Sequence, residues 1–234
     1  LPPAELRARI QELPRAPALR RSGRFDLIAE VKLRSPAVGQ LQSADGASAA
    51  ERALAYAKAG AAAVSVLTEP SRFDGSMADL VAVAASLTSV AVPAMRKDFL
   101  VDSYQVLEAR AAGAGGVLVI LRMLRRNVLA QLIDTAVEQG LFVLLEAFDE
   151  QDIELAESLV TERAAAKQQL LVGVNCRDLV TLQVVPGRLE ALAPRLPANI
   201  LRVAESGVTT ESDAARMAAC GYDLALVGSA LMTH

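Results

Sequence analysis

Leu27-Ile28-Ala29-Glu30-Val31-Lys32 is the stretch on which the reading of the fold turns. Six residues is the length of a strand, and three consecutive apolar side chains at its start suit a parallel strand covered on both faces. Charge enters only towards its end, where Glu30 and Lys32 are two residues apart and share a face. Seven further runs of this kind follow, at 62–67, 91–95, 116–120, 142–146, 170–174, 201–204 and 224–227. Helical stretches separate them, at 48–59, 77–87, 104–112, 125–138, 150–162, 187–193 and 211–219. Ser48 is placed to cap the first of these. Gly60, Gly113, Gly140 and Gly221 stand at or near helix stops. Strands alternating with helices at this spacing imply a parallel sheet with crossover helices. Eight units, with no GxGxxG after the first strand, favour a closed (β/α)8 TIM barrel of the α/β class over an open doubly wound sheet. Residues 1–24, with a short helix at 4–12, are read as an N-terminal extension, and 25–234 as the barrel. The chain opens on Leu1 rather than Met and its eighth helix is barely begun at 229–234, so both ends are read as trimmed.

Composition narrows the chemistry. A barrel of this kind typically needs about 250 residues, and the 234 present, 53% of them hydrophobic, can bury a sizeable core. The formal net charge of -3 gives no electrostatic case for nucleic acid or an anionic membrane. No apolar run approaches the roughly 18 residues of a membrane span, and no signal peptide opens the chain. A cytoplasmic enzyme is the simplest reading. Cys176 and Cys220 form no CxxC pair, and the one histidine is His234. The residue types thus argue against a histidine-based triad, a histidine metal site and a cysteine zinc site. Acid–base work falls to Lys, Glu, Asp, Tyr or Cys.

In a barrel the chemistry sits where strands end. Glu30 and Lys32 close the first strand, and a charged pair facing a barrel mouth is costly unless paired or functional. Lys97 follows the third strand in Arg96-Lys97-Asp98-Phe99. Desolvation is expected to lower its pKa towards a working range, while Asp98 or Asp102 caps the next helix. Glu146 closes an apolar fifth strand, where burial favours a general acid with a raised pKa. Asn175 and Arg177 share a face after the sixth strand and suit a polar or carboxylate group. Cys176 between them points away and reads as packing. The seventh and eighth strands end in Glu205-Ser206-Gly207 and Val227-Gly228-Ser229. Glycine beside serine at a helix start lets backbone N–H groups approach an anion, and these two strands are where this fold holds phosphate.

Several of these segments resemble one family. They are Ile28-Ala29-Glu30-Val31-Lys32 with Ser35-Pro36, Ser65-Val66-Leu67-Thr68-Glu69 with Phe73-Asp74-Gly75-Ser76, and Arg96-Lys97-Asp98-Phe99-Leu100-Val101-Asp102-Ser103-Tyr104-Gln105. To these add Leu145-Glu146, Gly173-Val174-Asn175-Cys176-Arg177-Asp178-Leu179, Glu205-Ser206-Gly207-Val208 and Leu226-Val227-Gly228-Ser229-Ala230-Leu231-Met232. From about residue 25 onwards the chain resembles indole-3-glycerol phosphate synthase, a tryptophan-pathway lyase. The resemblance implies ring closure, decarboxylation and dehydration of 1-(2-carboxyphenylamino)-1-deoxyribulose 5-phosphate, with no cofactor. It implies Lys97 as the general acid of ring closure, Glu146 or Lys32 as the acid for the departing hydroxyl, and Glu30 as the group that orients Lys32. Asn175, Arg177 and Glu205 would hold the substrate, and Phe99 and Leu179 would wall its aromatic ring. Ser35, Ser206, Gly207, Gly228 and Ser229 would take the phosphate. A monomer or weak oligomer is expected, in the company of other tryptophan-pathway enzymes. The chain departs from the family at Ala37 and Val38, where Ser-Lys is usual, at Phe148 in place of His, and at Cys176 in place of Asn. The alternative is a non-catalytic or altered-substrate paralogue that binds a sugar phosphate. The joint presence of Glu30, Lys32, Lys97, Glu146, Asn175 and Arg177 argues against it. Phosphoribosylanthranilate isomerase would need a Cys at the end of an early strand, and none is there.

Overall fold

The computed structural model describes residues 1–31, 34–35, 39–40 and 47–232, with the backbone alone at 34–35, 39–40 and 232. Lys32, Val38 and His234 lie outside the described residues, as does the side chain of Ser35. Eight parallel strands close into a barrel. They are β1 (Asp26–Val31), β2 (Ala63–Leu67), β3 (Ala94–Lys97), β4 (Gly116–Ile120), β5 (Phe142–Ala147), β6 (Leu170–Asn175), β7 (Leu201–Glu205) and β8 (Leu224–Val227). Closure is made by β1 pairing with β8, from Asp26 opposite Leu224 to Ala29 opposite Val227.

The helices are α1 (Pro3–Gln11), α2 (Ala49–Lys58), α3 (Pro70–Phe73), α4 (Met77–Leu87), α5 (Ser103–Ala111), α6 (Arg126–Glu138), α7 (Glu150–Thr161), α8 (Arg188–Leu192) and α9 (Glu211–Ala219). Their starts follow local chemistry. Ser48 with Glu51, Asp102 with Gln105, and Thr210 with Asp213 form reciprocal capping boxes. Asp102 is thus the cap that follows β3. Asp98 is used otherwise, accepting hydrogen bonds from Thr68 Oγ1 at 2.6 Å and from Arg96 at 2.9 Å.

Alternation along the strands sorts the core into two layers. Val64, Val66, Val117, Val119, Val143, Leu145, Val172 and Val174 face outwards and pack with helix residues such as Leu80, Leu132 and Ile133. Ile28, Ala63, Met95, Leu118, Leu144, Leu171, Val203 and Leu226, one from each strand, fill the barrel interior. Interior positions two residues further on in β1, β3, β5 and β7 are Glu30, Lys97, Glu146 and Glu205. The strand period of two therefore sets four charged groups one layer above an apolar floor. At the opposite end Leu19, in the irregular segment after α1, packs against the interior cluster, and the Arg20 N–H donates to Ala62 O at 3.1 Å. The helix α1 itself is held through Leu6 and Ile10 on Leu107 of α5.

Two local readings of the sequence need correction. The run 91–95 is not a strand throughout: Thr88–Val90 is a 3-10 turn and Ala91 is left-handed at φ 52, so β3 begins only at Ala94. The apolar Ala91-Val92 reads like strand from residue type alone, although only Val92 of the two is buried. The short helix α3 was not anticipated, although Glu69 as cap and Pro70 at the first helical position are its signals.

Leu80 of α4 is fully buried between helix and barrel. Leu80→Ala should lower stability by about 2–5 kcal/mol through lost burial and the cavity left behind. Urea unfolding should show this as a lower midpoint with an unchanged slope.

Candidate functional site

A cavity of about 550 Å³ opens at the C-terminal ends of the strands. Of the residues expected to act, Glu30, Lys97, Phe99, Glu146, Asn175, Arg177, Leu179, Glu205, Ser206, Gly207, Gly228 and Ser229 all line it. Lys32 and the Ser35 side chain lie outside the described residues. Sequence reading missed Phe73, Leu118, Ile120, Met123 and Leu182, which also line the wall, and Arg72 and Thr209 at its rim. A Leu or Phe at a strand end carries no signal of its own, so these walls become visible only once the strands are closed.

Lys97 Nζ lies 3.4 Å from Glu30 Oε2. Burial alone would lower the lysine pKa, but the carboxylates of Glu30, Glu146 and Glu205 outweigh it and hold the pKa above the ordinary lysine value. The expectation of a lowered pKa is therefore wrong. It considered desolvation and not the three carboxylates that the barrel brings to one ammonium.

Glu146 is 2% exposed. Burial pushes its carboxyl above the ordinary range; Lys97 and a hydrogen bond from Asn175 pull it back, and Glu30 and Asp152 add to the rise. Glu205 is 1% exposed. Burial and then the Glu146 charge push it well above the ordinary carboxylate range. Neither of its oxygens has a hydrogen-bond partner among the described residues. Among the described residues one lysine thus faces three buried carboxyls, and burial pushes Glu146 and Glu205 towards their neutral forms.

Asn175 connects the acid cluster to the turn after β7. Its Nδ2 donates to Glu146 Oε1. Its Oδ1 accepts the Arg177 N–H at 2.9 Å and the Ser206 hydroxyl at 2.9 Å. The Ser206 hydroxyl is therefore engaged within the protein. At this residue the backbone, left-handed at φ 64, is what can face an anion, together with Gly207 at φ 70. Cys176 is buried in the outer layer, as its position between two cavity residues requires. The Arg177 guanidinium donates to Leu182 O at 2.7 Å, which ties the rim of the loop after β6.

Neighbouring groups hold this arrangement. Arg96, pointing out of the barrel beside Lys97, donates to Thr68 Oγ1, Asp98 and Gln105 O. The Phe99 N–H in turn donates to Asp98 at 2.8 Å. Gly173 of β6 is needed for space: a Cβ there would lie 2.1 Å from Glu205 Oε1. Among the described residues no group of His, Cys, Asp and Glu is arranged to hold a metal ion.

Comparison with known proteins points to one family. A family model for indole-3-glycerol phosphate synthase matches residues 5–234. The chain is similar to the indole-3-glycerol phosphate synthase of Nocardioides sp., 46% identical over 232 residues that span 98% of this chain and 84% of that one. It is similar also to that of Leifsonia xyli, 42% identical over 226 residues, 97% and 82% of the two chains. Among solved structures it is like the N-acetylmannosamine-6-phosphate 2-epimerase from Clostridium perfringens, with a TM-score of 0.60, 14% identity, and 88% and 87% of the two chains covered. That likeness speaks for the barrel alone.

The close approach at Gly173 gives a test of the Glu205 seat. Gly173→Ala should displace the Glu205 carboxylate and lower kcat by roughly tenfold or more, about 1.4 kcal/mol in the barrier. Combining it with Glu205→Asp, one methylene shorter, should recover part of the loss in steady-state assays.

Proposed function

The chain belongs to the indole-3-glycerol phosphate synthase family, and from that premise we propose the following division of labour in its barrel mouth. The reaction is that of a decarboxylating lyase acting on 1-(2-carboxyphenylamino)-1-deoxyribulose 5-phosphate. The ring carbon that bears the carboxylate attacks the ribulose carbonyl. Lys97 gives that oxygen a proton as the carbon–carbon bond forms. Its raised pKa keeps it protonated until an alkoxide, a stronger base, develops beside it. Carbon dioxide then leaves, and its bonding electrons restore the aromatic ring. The hydroxyl departs as water, pushed by the ring nitrogen, and loss of the neighbouring proton completes the indole. Glu146, a carboxyl raised by burial, supplies the proton to the leaving hydroxyl.

The other groups bind and orient. Glu30 holds Lys97 towards the carbonyl, Arg177 takes the carboxylate, and Phe99 and Leu179 flank the aromatic ring. The phosphate rests on the backbone around Ser206 and Gly207 and on Gly228 and Ser229, one phosphate-binding end for one phosphorylated substrate. Lys32 and Ser35 are assigned to the same site by their place after β1. No helix among the described residues is long and apolar enough to cross a membrane, and a cytoplasmic enzyme, a monomer or weak oligomer working beside other tryptophan-pathway enzymes, suits the reading. The observation that supports it most is the convergence of Lys97 with Glu30 and Glu146 under a cavity that ends in two glycine–serine turns.

The product is fluorescent and the chain has no Trp, so indole formation is read against a dark background. Lys97→Ala should lower kcat by at least about a hundredfold while the affinity for inorganic phosphate changes little. Turnover surviving within about tenfold would remove Lys97 from the role of acid. Ser206 and Ser229 should separate. Ser229→Ala should act chiefly on KM, whereas Ser206→Ala, by freeing Asn175 from one of its anchors, should lower kcat as well. Equal KM effects with unchanged kcat in both variants would break the Ser206–Asn175–Glu146 connection.

A further inference from the structure

The turn that leaves β5 carries an ion network that the reaction as described does not use. Arg122 stands in the 3-10 turn Leu121–Met123 after β4. Its guanidinium lies 4.7 Å from the centroid of the Phe148 ring. Its Nε donates to Asp152 Oδ2 at 2.8 Å, and its Nη2 lies 2.7 Å from the same oxygen and donates to Asp149. Asp152 Oδ2 also accepts the Phe148 N–H at 2.8 Å. Asp149 caps α7 by accepting the Asp152 N–H at 3.0 Å. The two residues after Ala147, and so the backbone two positions beyond Glu146, are thus fastened from the side of β4 by one side chain.

Burial sharpens the point. Phe148 is 2% exposed and Asp152 6%, and the Phe148 ring packs in the interior layer with Ile120 and Leu144, beside which Glu146 stands. A buried aspartate next to a buried glutamate is unfavourable unless a cation balances it. Arg122 is that cation, and it reaches Asp152 along the flat face of Phe148, an arrangement suited to a guanidinium.

We propose that Arg122 is a positioning residue for Glu146: by pairing with Asp152 over Phe148 it fixes the turn after β5 and limits how far the Asp152 charge raises the Glu146 carboxyl. The groups around Glu146 are Glu30 from β1, Lys97 from β3, Asn175 from β6, Glu205 from β7 and Asp152 from α7, and Arg122 balances Asp152 from outside the cavity. The proposal rests on Glu146 being an acid of the reaction, and the two can fail separately.

The test is a titration of the Glu146 carboxyl by carbon-13 NMR in the glutamate-labelled protein, the resonance assigned by its loss in Glu146→Gln, together with kcat from indole fluorescence. In Arg122→Met the carboxyl should titrate higher by about half a pH unit or more, as an unbalanced buried charge nearby requires, and kcat should fall several-fold with little change in KM. Asp152→Asn should move the titration down, and Arg122→Lys should return it towards the parent value. A titration unmoved in both Arg122→Met and Asp152→Asn, with any loss of activity matched by loss of thermal stability, would overturn the proposal and leave Arg122 a structural clamp. Should Arg122→Met not fold, Asp152→Asn alone decides by the same reading. Wild-type kcat in Glu146→Gln would instead sink the role of Glu146.

Discussion

Three carboxyl groups share the interior of a barrel mouth with the ammonium of Lys97, and most of what surrounds them answers to the cost of burying charge there. Glu30, Glu146 and Glu205 are each 4% exposed or less, so all three cannot remain charged against Lys97 without a large desolvation cost. The result is a division: Lys97 stays cationic beside Glu30, and the other two carboxyls are pushed towards their neutral forms. Acids differing in their hold on a proton come from one kind of side chain, set apart by burial and by neighbouring charge.

The support around the cluster is of two kinds. Some of it makes room, as at Gly173, where the missing side chain is the seat of Glu205. Some of it fixes direction, as in Asn175, whose amide receives the Arg177 N–H and the Ser206 hydroxyl on one side and donates to Glu146 on the other. Asn175 therefore relates the end of the cavity that suits phosphate to the end that suits proton transfer. Arg96 and Asp98 perform the same service behind Lys97 and Phe99. None of these groups reacts, yet each restricts a side chain that faces the cavity.

Periodicity made the barrel legible, and with it the layer of charged residues, because a residue two positions beyond an interior Ile28, Met95, Leu144 or Val203 must also point inwards. What could not be read was interaction between strands far apart in the chain. Lys97 looked like a lysine to be neutralised by burial, since no rule of spacing connects position 97 with positions 30, 146 and 205. That the Ser206 hydroxyl bonds Asn175 could not be read either, since nothing local to it announces that partner. The apolar wall formed by Phe73, Leu118 and Leu182 is likewise a property of closure rather than of any one segment. Where local chemistry did decide, as in the cap at Ser48, residue type was sufficient.

The seam between β1 and β8 has a consequence for the chain as it is made. Asp26 to Ala29 find their partners at Leu224 to Val227, so the first strand of the barrel waits for the last. Until then β1 presents one open edge, and Glu30 and Lys97 stand at the rim of an unfinished cylinder with water on one side. Open strand edges invite pairing with other chains, and contacts this distant in sequence form late. The charges that make the finished mouth costly to bury thus serve the nascent chain differently, as solvated ends on strands that would otherwise be apolar almost throughout.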